Sequence, residues 1–296
     1  MNLFIFGLGY SARAIARRMA ERGVWVAGTV RTRSRAALLT GAGITARLLN
    51  DDEADAAIEA DIASADALLV SAPPDEAGDP ILPRFAATIA TAPRARWIGY
   101  LSTIGVYGDH AGGWVSEQDA PRPANARTRA RVAVEQAWLE LGARTGKPAV
   151  IFRLAGIYGP GRNALVNLAD GSARRVVKPG QVFNRIHVED IAGAVEASLD
   201  RQTGSAIYNI ADDLPAPPQD VVDYAAELLK IAPPPAIDFA SAALGPMARD
   251  FYARNKRVSN SRAKEELGWR LRYPTYREGL QALFEAGDGS AIRAGG

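Results

Sequence analysis

A short apolar run over residues 2–7 ends in Gly7-Leu8-Gly9-Tyr10-Ser11-Ala12, and few folds accommodate such a joint. A continuous run of this kind suits a strand buried on both faces, the habit of parallel sheets. Beyond it, Ala12, Ile15, Ala16 and Met19 recur at helical spacing from Ser11 to Arg22, and Gly23 stands where a helix is released. Gly7 permits a tight turn, Gly9 lets a ligand approach the backbone, and the small Ala12 lets helix pack near strand. Strand, turn and helix together form the dinucleotide-binding turn in its glycine/alanine form, which places a diphosphate on the helix N-terminus.

The same alternation continues. Strands are predicted at Trp25–Val30, Ala46–Leu49, Ala67–Ser71 and Trp97–Ser102, with a helix over Ile81–Thr91. After a loop rich in Gly and Pro, Gly108–Ala124, a long helix is expected over Arg127–Ala143 and a sixth strand at Ala149–Leu154. This pattern predicts right-handed crossovers and an α/β, doubly wound parallel sheet of Rossmann type. The second half is broken by glycine and proline from Tyr158 to Gln181. A helix then covers Ala192–Leu199, a short strand Ile207–Ile210, and the proline clusters Pro215–Pro218 and Pro233–Pro235 divide a tail with little strand character. The expected division is a dinucleotide-binding domain over 1–157, to which 183–212 return, and a smaller, mainly helical cap from 158–182 and 213–296.

The end of the second strand discriminates between cofactors. An NAD site places Asp or Glu there for the ribose hydroxyls, whereas this chain carries Arg31-Thr32-Arg33. Guanidinium groups present a planar fork of charged donors to a 2′-phosphate, so NADP is expected in preference to NAD. The fold also places Ser71-Ala72-Pro73, after the fourth strand, beside the ribose or nicotinamide.

Composition closes other routes. The chain has 296 residues, no cysteine and only His110 and His187 as imidazoles, which excludes disulfides, thiol nucleophiles and structural zinc, so no metal site is expected. A net charge of +2 gives no broad reason to bind nucleic acid. The apolar start is too short for a signal segment, and no later stretch reaches the roughly 18 uncharged apolar residues of a membrane span, so a cytoplasmic protein is expected. Thirty of the 35 basic residues are arginine, a bias that suits a GC-rich genome.

Several further motifs join the turn: Leu101-Ser102-Thr103 followed by Val106-Tyr107-Gly108, the run Arg153-Leu154-Ala155-Gly156-Ile157-Tyr158-Gly159-Pro160-Gly161, and the segment from Asn184 through His187 to Ala192. With Leu267-Gly268-Trp269 and Glu278-Gly279-Leu280, they resemble the extended short-chain dehydrogenases/reductases over nearly the whole chain. That resemblance implies an epimerase, dehydratase or related reductase with the two-part architecture above. It implies that Thr103 polarises a substrate hydroxyl or carbonyl, with Ser102 beside it at substrate and cofactor. Tyr10, Ser11, Ala155 and Ile157 complete the cofactor contacts expected from it.

The resemblance also carries a Tyr-x-x-x-Lys pair at the start of the long helix, the lysine four residues before a glutamate. Counting back from Glu135 puts Arg131 in the lysine position and Arg127 in the tyrosine position, and no tyrosine or lysine lies between Gly108 and Glu135. Arg131 is expected to donate to the nicotinamide ribose and keep positive charge there. Arg127 remains protonated at any working pH and cannot shuttle a proton. Tyr107, Tyr158 and His187 are the substitute acid–base candidates, although each tyrosine could equally be a packing residue and His187 a helix cap. Thr103 could equally bond backbone.

On the substrate side, the resemblance places Tyr158, Arg162, Asn184, Arg185, His187 and Arg257 toward the ligand. Arg162, Arg185 and Arg257 are expected to neutralise an anionic small molecule, such as a sugar nucleotide, while Asp238–Arg249 shows no binding pattern. A homodimer through the Arg127–Ala143 helix is expected. Three functions follow: an NADP-dependent oxidoreductase or epimerase-like enzyme, a non-catalytic NADP sensor, or a scaffold without nucleotide.

Overall fold

Alternation within β1 (Asn2–Phe6) sets the layering of the molecule. Leu3 and Ile5 join one hydrophobic cluster while Phe4 and Phe6 join another, so the run is covered by helices on both faces. β4 (Ala67–Val70) and β7 (Ala149–Leu154) divide their residues between the same two clusters. One layer holds α1 (Tyr10–Glu21) and α7 (Val188–Arg201); the other holds α3 (Asp55–Ser64), α4 (Leu82–Thr91) and α5 (Ala126–Thr145). The computed structural model describes residues 1–41, 43–49, 54–75 and 78–290.

Seven strands form the central sheet in the order β11-β7-β5-β4-β1-β2-β3, every pairing parallel. Here β2 is Trp25–Val30, β3 Thr45–Leu48, β5 Trp97–Thr103 and β11 Ala206–Ile210. The direction of winding reverses between β1 and β4, which opens a crevice at their carboxyl ends. The expected doubly wound sheet is thus present.

Two helices exceed their predicted bounds. α5 starts at Ala126 because Asn125 and Thr128 form a capping box, and it ends at Gly146, whose φ is 66°. α7 starts at Val188, four residues before the prediction, because the His187 side chain accepts from the Glu189 N–H. Part of the arginine excess lies between α1 and α7: Arg17 pairs with Glu189, Arg18 and Arg22 with Glu196, and Arg22 also with Asp200.

A third cluster gathers Tyr158, Leu165, Val221, Leu229, Tyr276 and Leu280 from β8 (Gly156–Tyr158), α6 (Ala164–Ala169), α8 (Pro218–Leu229) and α11 (Tyr276–Glu285). The tail has more strand than its sequence suggests. β12 (Ala236–Asp238) pairs with β9 (Arg175–Val177), and β13 (Arg257–Val258) pairs with β6 (Trp114–Val115). Not all of the tail packs in the third cluster: Val258, Ala263, Leu267 and Trp269 join the sheet's own core.

Candidate functional site

The crevice is built on the glycine turn. Gly7 has φ +88°, and a Cβ there would stand 3.0 Å from the Ala72 nitrogen, so the loops after β1 and β4 meet only because residue 7 is glycine. Thr29, fully buried on β2, pins the turn: its Oγ1 accepts from Gly7 N at 2.9 Å and its carbonyl from Leu8 N at 2.8 Å. Sequence reasoning missed Thr29, although a polar residue inside an apolar strand was the signal for it. Ser71 and Ala72 both donate to the Phe6 carbonyl, which brings Ser71-Ala72-Pro73 to the crevice as the fold requires.

Gly9 is the N-cap of α1 and provides no side-chain cap, and the first turn holds no acid. A Cβ on Gly9 would meet nothing nearer than the Gly7 carbonyl at 4.0 Å. Open space therefore lies over a helix N-terminus whose first N–H groups await an acceptor, which suits an anion such as a diphosphate. Ser11 and Ala12 are buried behind it. Tyr10 faces the other side of the cleft: its hydroxyl donates to the Pro160 carbonyl, and the Arg162 guanidinium lies 5.7 Å from its ring centroid.

Arg31, Thr32 and Arg33 stand exposed at the end of β2 and the start of α2 (Arg33–Gly41). Thr32 Oγ1 accepts from Arg35 N, so this cluster also begins a helix. No described residue holds Arg31 by a hydrogen bond or ion pair.

The expected catalytic side is differently arranged. Thr103 Oγ1 accepts from Gly105 N at 3.0 Å and caps the short turn Ile104–Tyr107, and its own proton has no acceptor among the described residues. Ser102 is turned away from the cleft, its hydroxyl donating to Glu135. Glu135 forms a buried ion pair with Arg153 at 2.7 Å, both side chains under 5 % exposed. Arg153 donates to the Tyr107 hydroxyl at 2.9 Å, which in turn donates to Asn209 Oδ1 at 2.9 Å. Tyr107, fully buried and with its pKa raised by desolvation, is a structural node and not the substitute acid–base. Arg131 Nη1 donates to the Tyr100 hydroxyl and the Leu101 carbonyl, which fixes the guanidinium beside the end of β5. Arg127 is exposed at the start of α5.

Several expected substrate contacts belong to the packing. The Tyr158 hydroxyl donates to the Thr275 carbonyl at 3.4 Å, and burial pushes its pKa far up. His187 is 2 % exposed, caps α7 through Nδ1, and is held neutral down to about 4 by burial and the Arg272 charge. Asn184 bridges to Lys256 O and Val258 N. Arg185 donates to the carbonyls of Phe183 and Ala216 and faces Asp212, whose carboxyl burial lifts to about 8. Arg257 donates to the Gly112 carbonyl. Ala155 is buried and donates to Ile210 O, while the half-buried Ile157 packs on the sheet core. No cluster of three metal-ligating side chains exists among the described residues, and none of their helices is long and apolar enough to cross a membrane.

Comparison with known proteins places this geometry. Residues 4–211 match the model of the NAD dependent epimerase/dehydratase family. Protein YeeZ of Escherichia coli (strain K12) is 30% identical over 286 residues, covering 91% of this chain and 95% of YeeZ. A functionally unknown conserved protein from Silicibacter pomeroyi is 47% identical and superposes with a TM-score of 0.87, over 97% of this chain and 99% of that one. The dTDP-glucose 4,6-dehydratase of Bacillus anthracis, solved in complex with NAD, shares the fold at 16% identity, with a TM-score of 0.76 over 97% of each chain. The chain belongs to the NAD dependent epimerase/dehydratase family.

Proposed function

We propose that the chain is an NADP-dependent oxidoreductase or epimerase/dehydratase-like enzyme acting on a polar small molecule, with Arg127 and Arg131 in place of the Tyr-x-x-x-Lys pair. One observation carries the reading: an uncapped α1 N-terminus with open space over Gly9, and at the neighbouring strand end the unpaired, exposed Arg31. The N–H groups of the first α1 turn would hold the diphosphate, and Arg31 with the start of α2 the 2′-phosphate. A bound NADP would supply hydride chemistry at its nicotinamide. Thr103 retains a hydroxyl proton to donate to a substrate oxygen, and Arg131 keeps a fixed positive charge at the end of β5. Water then completes proton transfer, since Tyr107, Tyr158 and His187 are bound internally.

That internal binding also favours a second reading, a non-catalytic NADP-dependent sensor. Fluorescence titration with NADPH and NADH tests the shared part. NADPH should bind more tightly, and Arg31→Ala should weaken NADPH at least about tenfold while sparing NADH, the loss of one charged hydrogen bond. Equal affinity for both nucleotides overturns the assignment. NADPH oxidation across aldehydes, ketones and oxidised sugars separates enzyme from sensor.

A further inference from the structure

Two of the three arginines expected to meet an anionic substrate, Arg185 and Arg257, donate to backbone carbonyls, while the exposed Arg162 lies over the Tyr10 ring; beside Arg257 stands the buried Lys256. Lys256 is 6 % exposed, and the only hydrogen-bond partner of its ammonium among the described residues is the Gly108 carbonyl, 2.8 Å from Nζ. No carboxylate of a described residue pairs with it. Asp109, whose charge acts on Lys256, accepts its hydrogen bonds from the N–H groups of Asn255 and Ala111. Burial and the Arg254 charge lower the Lys256 pKa to about 8, so the amine remains protonated at neutral pH.

Both ends of this contact are fixed. Asn184 holds the backbone on either side of Arg257, accepting from Val258 N and donating to Lys256 O. Gly108 has φ +71°, and a Cβ there would lie 2.2 Å from the Arg122 carbonyl, so its carbonyl cannot be re-aimed by substitution. Gly108 also ends the segment that begins at Thr103. A buried ammonium whose Nζ has one acceptor among the described residues is costly unless something else completes it.

We propose that Lys256 receives an anionic oxygen of the substrate, a carboxylate or phosphate, between the Thr103–Gly108 segment and the cap. The inference rests on reading this cleft as the substrate site of an NADP-binding enzyme, and it names the substrate class.

The chain has five lysines, so full-length protein labelled with ¹³C at lysine Cε gives five resolvable side-chain signals. The Lys256 signal is the one absent from Lys256→Met, or from Lys256→Arg should the first variant not fold. With NADPH present, malonate and inorganic phosphate are titrated separately. The Lys256 signal should move saturably with one of them, which distinguishes carboxylate from phosphate, while the other four stay in place. By calorimetry, Lys256→Met should bind that anion about thirtyfold more weakly, and Lys256→Arg should retain it. A Lys256 signal indifferent to both anions, or five signals drifting together as ionic strength rises, overturns the proposal. Failure of NADPH to bind, with the Lys256 response intact, overturns the cofactor reading instead.

Discussion

Two places along the carboxyl edge of one sheet differ in what they do with their polar groups. At the carboxyl end of β1, backbone donors have no side-chain cap among the described residues, and at the end of the neighbouring β2 Arg31 stands in solvent. At the carboxyl end of β5, polar groups are joined to one another: Ser102 to Glu135, Glu135 to Arg153, Arg153 to Tyr107, Tyr107 to Asn209. Unsatisfied donors beside open space mark a ligand position, whereas a saturated buried network marks a fixed frame. Residue type alone could not separate the two.

The contrast can be broken most directly at Glu135. Glu135→Ala leaves Arg153 buried without its counter-charge and should cost about 3–5 kcal/mol in urea unfolding. A cost below about 1 kcal/mol would remove the network's claim to be a frame.

Lys256 sharpens the comparison through pH. Its folded pKa of about 8 lies below the unfolded value, so the unfolded chain binds more protons between about 8 and 10.5. Stability from this group should therefore rise with pH across that window, by roughly 3 kcal/mol. Arg254 and Asp109 are the charges that act on it, and Lys256→Met should abolish the slope in thermal melts.

At the open end, Gly9→Ala should leave the melting temperature unchanged, because its φ of −79° is ordinary and its Cβ meets nothing close. NADPH affinity should fall roughly ten- to hundredfold, since the methyl occupies the diphosphate position. The smallest expected effect is that of Tyr107→Phe, about 1–2 kcal/mol of stability from the hydroxyl between Arg153 and Asn209, with NADPH affinity unaltered. A large affinity loss there would return Tyr107 to the cleft.

The sheet and the glycine turn were legible because strand alternation and glycine conformations are backbone properties with local signatures. The partners of Ser102, Tyr107, Tyr158 and Asn184 were not legible, because Glu135, Asn209, Thr275 and Val258 lie far away in sequence; for the two tyrosines the packing alternative is the one their hydrogen bonds match. Lys256 and Val258 are both buried, whereas Arg257 between them reaches Gly112. Which of these side chains turns inward is set by the backbone of this segment and not by residue type.

Tyr158 and Gly279 carry a consequence for how this molecule can diverge. A Cβ at residue 279 would stand 2.0 Å from the Tyr158 hydroxyl, so α11 lies against β8 only while that position has no side chain. Neither position can drift alone: a side chain at 279 requires a shorter ring at 158, and the two should covary among relatives. Grafting this helix onto another scaffold would have to carry both residues as a single heritable unit.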